Sequence, residues 1–387
     1  MTITATTTTT SSPSSSSSAS TTPNSNPNPN STSTWWESLS RARSRVLSLS
    51  PLLPSLPHQT LTLIADSDRP AHSLLSLLPH LSHHLSDDPH SGSGDDPLCN
   101  WLYDTYLLPD PPELRLLVLS LLPLLSHLYL SRVVSRPDLS LAGFEAVLLA
   151  VYTAEAKIRG GKPVLVSVPD LSSPSLYHSP RVQPQTHHRR ASADPHPGTP
   201  LTGVLSPPLE PQLAVKSTKR ACIVGVALDS FFKKISLVPP RAKSDFCAFV
   251  VSWAGQECRC RYEFDDGLDV EVETNCEYVE GNRIPLPWEL LQPVLRIIGH
   301  CLLAPGNDQE VRDAASAAAR AVYARAMHEI IPQAILAARS LIRLDVSARK
   351  KEREAAAAML AVSPGGAASN PATPSKPKRQ DVLLFSK

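Results

Sequence analysis

The sequence predicts a mainly α protein: an irregular multi-helix bundle with one short extended segment and an acidic β-hairpin insertion, flanked by disordered N- and C-terminal tails. Three observations carry this. Leu-rich stretches at 112–134 and 141–159 place apolar residues at helical spacing. β-branched alternation is concentrated in Val164–Val168, between two prolines. Residues 1–34 carry no charged side chain and consist almost wholly of Ser, Thr, Asn and Pro. Such a stretch has no apolar surface to offset the entropy of ordering. The expected organisation is therefore a tail over 1–34, a helical domain over 35–346, and a charged, Ala-rich extension with a disordered tail over 347–387. Within the domain, a disordered linker at 183–212 and an acidic insertion at 257–280 interrupt the pattern.

Taken in order, Trp35, Trp36, Leu39, Val46 and Leu47 share a helix with Arg41, Arg43 and Arg45, which Pro51, Pro54 and Pro57 end. Aromatic and basic residues together suit either an interfacial membrane helix or one docked on the domain. A second helix is expected over 71–85, then a loop over 87–97 whose acids lack the alternation and closing Glu of a calcium loop. Pro112 and Glu113 suit the first turn of a long helix to Val134, apolar on nearly every face and kinked at Pro123. Its run from Leu116 to Leu130 falls short of a bilayer span and contains Pro123 and His127, so it reads as a core helix. Leu141–Arg159 follows, closed by Gly160-Gly161, with Leu148 and Val151 facing the core; the two helices should pair as an antiparallel hairpin.

Helical spacing resumes at 219–238, 244–254, 285–303 and 308–346, the last expected to kink or split at Pro332. The insertion at 257–280 holds nine acids against two bases, with Asp266-Gly267 as its hairpin turn. It is a solvated surface or a dock for a basic partner.

Composition narrows the function classes. Net charge is +1, so no global field recruits nucleic acid or membrane. The N-terminal region has neither the basic start nor the apolar core of a secretory signal, and its first Arg is Arg41, late for a transit peptide. With that, seven scattered cysteines read as reduced thiols of a cytosolic chain. The histidines at 80, 83, 84 and 90, those at 187 and 188, and Cys258-Arg259-Cys260 lack zinc spacings, and no metal or other cofactor is expected. Gly161-Lys162-Pro163 is not a phosphate loop, and neither a nucleophile elbow nor kinase signatures occur. No catalytic residue is assigned. Arg189-Arg190-Ala191-Ser192 makes Ser192 a candidate phosphosite for a basophilic kinase.

Several words of sequence carry a resemblance. Trp101-Leu102-Tyr103-Asp104-Thr105-Tyr106, Gly143-Phe144-Glu145-Ala146-Val147-Leu148-Leu149-Ala150-Val151-Tyr152, Pro169-Asp170-Leu171-Ser172-Ser173-Pro174-Ser175-Leu176-Tyr177-His178 and Gly281-Asn282-Arg283-Ile284-Pro285-Leu286-Pro287-Trp288-Glu289-Leu290-Leu291 occur in this order. Together they resemble the hyccin family, the last its plant branch, over residues 98–180 and more loosely 219–345. The resemblance implies a non-catalytic scaffold subunit at the cytosolic face of the plasma membrane, docked on a tetratricopeptide-repeat subunit that also holds phosphatidylinositol 4-kinase alpha. A third, membrane-anchoring subunit would bring the assembly to the bilayer, making membrane contact indirect. The Ser/Thr N-terminus, the linker after Pro180 and the acidic insertion depart from the animal pattern. The competing expectation is a free-standing peripheral, lipid-binding adaptor using Trp35 and Trp36.

Overall fold

The computed structural model describes residues 29–361 except 55, 109–110, 137, 169–200, 256–258 and 263–286. Most of the 1–34 tail, Ser192, most of the acidic insertion and the end after 361 lie outside the described residues. What is described is helical apart from one two-stranded ribbon and the connecting turns.

Helix α1 spans Pro29–Leu47. It begins inside the stretch expected to be tail, with Pro29 at its start, where a missing N–H leaves no bond unmade. Ala42, Val46 and Leu49 are buried against α2 (His58–Ala65) and α3 (Pro70–Ser73). The sequence pattern missed α2, which is a two-turn helix between prolines. The single helix expected over 71–85 is three pieces: α3, a 3-10 turn Leu74–Leu77 and α4 (Leu78–Asp87). Pro79 explains the break, since a proline sits comfortably only in a helix's first turn.

Helix α5 (Pro97–Leu107) starts on a built cap. Asp96 accepts from the Leu98 and Cys99 amides at 2.8 and 3.2 Å while its other oxygen accepts from Gly92 N–H at 2.7 Å. Helix α6 (Pro112–Ser135) keeps Pro123 buried within it and packs on α3, α4, α5 and two later helices, Arg220–Lys233 and Pro240–Ala254. Among the described residues it is the one helix long and apolar enough to cross a membrane; here those neighbours cover it, as an all-round apolar helix requires.

Helix α7 (Ala142–Arg159) ends on Gly160 in the left-handed conformation, φ 56°. Leu148 and Val151 are fully buried, as their spacing predicts. The expected α6–α7 hairpin, however, is opened. Helix α7 packs chiefly on α5 and α8 (Arg220–Lys233). Gly143 is the reason: a Cβ there would lie 2.2 Å from Ser93 O and 3.0 Å from Cys99 Cβ, so only glycine lets α7 seat against the loop before α5. Contact with α6 survives through the Tyr129 hydroxyl, which donates to Glu145 at 2.9 Å.

Strand β1 (Val164–Val168) pairs antiparallel with β2 (Leu201–Ser206), setting Val168 opposite Leu201 and Leu165 opposite Val204. The 183–212 linker was expected to be disordered throughout. Residues 201–206 of it are instead this strand, whose four apolar or β-branched positions were outweighed by the surrounding Pro and His. The Tyr152 hydroxyl then pins the chain beyond it, donating to Glu210 O at 2.8 Å.

Helix α9 (Pro240–Ala254) stacks Phe246, Phe249 and Trp253 with Phe231 of α8, ring centroids about 6 Å apart. Arg259–Tyr262, expected to lie in the first strand of the acidic hairpin, form a 3-10 turn against the helix Gln309–Glu329. Helix α10 (Trp288–Leu303) joins α8 to α11 (Gln309–Glu329). The last predicted helix splits at Pro332, where Ile330 takes the left-handed conformation, φ 54°. Helix α12 (Pro332–Ala361) then runs past the expected 346 boundary, because the charged, Ala-rich sequence that follows is itself good helix former. Ala334, Ala338 and Ile342 supply its buried stripe. One contiguous core runs from Ala42 to Ile342.

Candidate interaction surface

Among the described residues no three or more His, Cys, Asp or Glu side chains converge on a metal-sized site. His83 pairs with Asp87 one turn on, both exposed, and Cys260 approaches His328 at 3.8 Å. His187, His188, Cys258 and Cys276 lie outside the described residues. Among the described residues two surfaces stand out.

The first is α1. Trp35 and Trp36 are 54% and 59% exposed, stacked edge to face with centroids 4.5 Å apart. Trp35 also borders a cleft of about 400 Å³ shared with Arg69 and Glu113. The arginines behind them are turned inward. Arg43 Nε donates to Ala65 O at 3.0 Å. Arg45 lies over the Trp101 ring at 5.7 Å and reaches Asp104 at 3.6 Å, while Trp101 Nε1 donates back to Arg45 O and Ser48 Oγ. The helix thus docks on its own domain through Arg43, Arg45 and the buried Ala42 and Val46, and it leaves two indoles in solvent.

The second is a groove of about 370 Å³ where the C-terminal ends of α5, α7 and α8 meet the start of α6. Tyr106, Leu116 and Leu119 form its apolar wall. Ile158 and Leu237 stand on its rim, 78% and 61% exposed. Arg115 lies over the Tyr106 ring and donates to Tyr106 O at 3.0 Å, so it belongs to the wall rather than to solvent. The sequence pattern did not reveal this groove, because four elements distant in sequence build it and each reads locally as ordinary helix end.

Beneath the groove lies an ion network that fixes it. Glu155, buried at the end of α7, accepts from Arg159 at 2.7 Å and from Lys233. Arg159 continues to Ser206 Oγ of β2 at 2.6 Å, and Arg296 of α10 reaches Asp229 at 3.0 Å while lying 4.4 Å over the Phe232 ring. Burial alone would raise the Glu155 carboxyl, but the hydrogen bonds from Lys233 and Arg159 outweigh it and hold the group below its usual value. Asp229 goes the other way: burial raises it, and Arg296 and Arg159 offset this only in part. The network clamps α7, α8, α10 and the ribbon into one piece. Removing one partner would leave the other charge buried, a change of about 3–5 kcal/mol in fully buried pairs and less here, where Lys233 is half exposed.

Comparison with known families gives one match: the Hyccin family model covers residues 65–373, well over half of the chain. Its span includes the groove, the ion network and helices α3 to α12, and leaves α1 and most of α2 outside.

Proposed function

This chain belongs to the hyccin family, and on that premise we propose that it is a non-catalytic scaffold subunit of a phosphatidylinositol 4-kinase alpha complex. Membership itself suggests a scaffold-type subunit. The finer reading is that the chain binds a tetratricopeptide-repeat subunit holding the kinase, that a separate membrane-anchoring subunit recruits the assembly to the cytosolic face of the plasma membrane, and that phosphatidylinositol 4-phosphate synthesis there depends on it. The family match is the observation that carries this reading. It is supported by the Trp35–Trp36 pair, since paired indoles left in solvent by an otherwise docked helix are the side chains most often found as anchors in protein interfaces.

The same indoles favour one second reading, a peripheral adaptor that inserts them into lipid. Two of the three nearby arginines are committed to the protein's own backbone and to Asp104, which leaves this helix a single weak membrane signal where stable anchoring takes two. One variant separates the readings. In affinity capture with mass spectrometry the wild-type chain should recover a large lipid kinase and a tetratricopeptide-repeat protein, and Trp35→Ala with Trp36→Ala should weaken recovery at least several-fold. Recovery of neither partner by folded bait would overturn the scaffold reading. Strong sedimentation with anionic vesicles, lost in the double variant, would replace it with the second.

A further inference from the structure

We propose that the groove between α5, α6, α7 and α8 is the docking site of this chain's own C-terminal segment, Asp381-Val382-Leu383-Leu384-Phe385. On the groove's side, two aliphatic residues are held out at its lip, Ile158 and Leu237, above a wall of Tyr106, Leu116 and Leu119. The ion network makes the cleft rigid, so it is largely pre-formed, as binding grooves for short peptides are. Groups of both signs lie along it, Glu113 at the start of α6 and Lys234 at the end of α8.

On the segment's side, Val382–Phe385 is the longest uninterrupted apolar run outside the described residues, set in a stretch otherwise made mostly of Ser, Pro, Ala, Gly and charged residues. Left in water, four such side chains are the kind of contiguous apolar surface that seeks cover. The residues just before the run carry both signs, as the groove does: Lys378 and Arg379 complement Glu113, and Asp381 complements Lys234. Reach is sufficient. About twenty residues separate Ala361, the end of α12, from Val382, enough to extend about 65 Å. The 30-residue α12 itself measures only about 45 Å, so the tether is long enough to run back along the whole of that helix toward the bundle.

Tethering sets the expected strength. A tether of about twenty residues gives an effective concentration on the order of 1 mM, so a segment that binds in trans with a Kd of about 0.1 mM would be docked about ten to one within the chain. Occupancy of that order covers the groove yet yields to a stronger ligand.

Hydrogen exchange on the full chain tests this. Amides over residues 154–159 and 230–238 should exchange about tenfold more slowly in the full chain than in a chain stopped after Gln380. Leu383→Asp with Leu384→Asp should match the truncation. A labelled peptide of residues 376–387 should bind the truncated chain saturably, and Leu237→Asp, a change at an exposed position that leaves folding intact, should abolish that binding. Protection that appears only as concentration rises, with dimers in sedimentation, would overturn the proposal in favour of a second copy in the groove. Equal exchange in full and truncated chains, with no peptide binding, would overturn it outright. Neither result depends on whether the kinase complex is recovered.

Discussion

Replacing Gly143 by Ala probes the contact that sets the packing of α7. A methyl at this position would lie 2.2 Å from Ser93 O and 3.0 Å from Cys99 Cβ, and the first obstacle is backbone that cannot swing aside as a side chain would. Either α7 or the 92–96 loop must move by the better part of an ångström. Overpacking of this kind costs about 1–3 kcal/mol. The movement also stretches the bond from Gly143 N–H to Gly92 O, now 2.9 Å, adding about 0.5–1.5 kcal/mol. Against this stands up to about 1 kcal/mol of better helix propensity. The net is a loss of about 1–3 kcal/mol, which for a domain of about 300 residues lowers the melting temperature by about 2–5 °C. Gly94→Ala is the matched control: its Cβ would meet only Ala142 Cβ at 3.6 Å, ordinary contact, and its backbone is not left-handed. Scanning calorimetry or thermal circular dichroism reads both. If Gly143→Ala melts within about 1 °C of Gly94→Ala, the close approach does not govern how α7 seats.

Three further outcomes follow from burial and charge. Leu148→Asp or Val151→Asp places an unpaired carboxylate at a fully buried position, which removes several kcal/mol, on the order of half a typical domain's stability; soluble variants melting normally would make that face a partner surface instead. His127, packed 5.6 Å from Phe249, has its pKa lowered by burial, and His300 is lowered by burial and then by Lys243. Their neutral forms are favoured by folding, so that contribution is full above the ordinary value of about 6.5 and is lost as pH falls from there through the folded values. Melting temperature should therefore decline from pH 7 to 5, and less steeply in His127→Gln; an unchanged slope would contradict the assignment. Arg325, buried and donating to Ala254 O at 2.8 Å, holds the end of α9, and Arg325→Met should destabilise by about 1–3 kcal/mol in urea titration, a result within 0.5 kcal/mol of wild type arguing against that role.

Much of the helical architecture was legible because it rests on local rules. Pro112 with Glu113, the Gly160 cap, the 3.6-residue spacing through Leu148 and Val151 and the break at Pro332 each act within a few residues, and each element stands where that chemistry puts it. What escaped depends on contacts far apart in sequence. The α6–α7 hairpin gave way because Gly143 seats α7 on α5, a preference visible only once Ser93 and Cys99 are beside it. Strand β2 was hidden because a two-stranded ribbon needs its partner, β1, to be recognisable, and the partner is more than thirty residues away. Residues 29–34 and 347–361 were read by composition, whereas helices continued into them from neighbouring sequence. The interaction surfaces divide likewise. Trp35 and Trp36 announced themselves as aromatics on a short helix, while the groove, assembled from four helix ends, left no local signature.

The role proposed for this chain is to stabilise a kinase assembly. A subunit that binds only the folded partner raises that partner's apparent stability by RT ln(1 + [L]/Kd), about 2.7 kcal/mol at a hundred times Kd, enough to change its abundance in a cell several-fold. The direct measurement is the amount of assembled phosphatidylinositol 4-kinase alpha, together with plasma-membrane phosphatidylinositol 4-phosphate, after depletion of this protein in cells that express no redundant homologue. The account predicts that both fall and that re-expression of the wild-type chain restores them. Unchanged kinase abundance and unchanged lipid after depletion would contradict it.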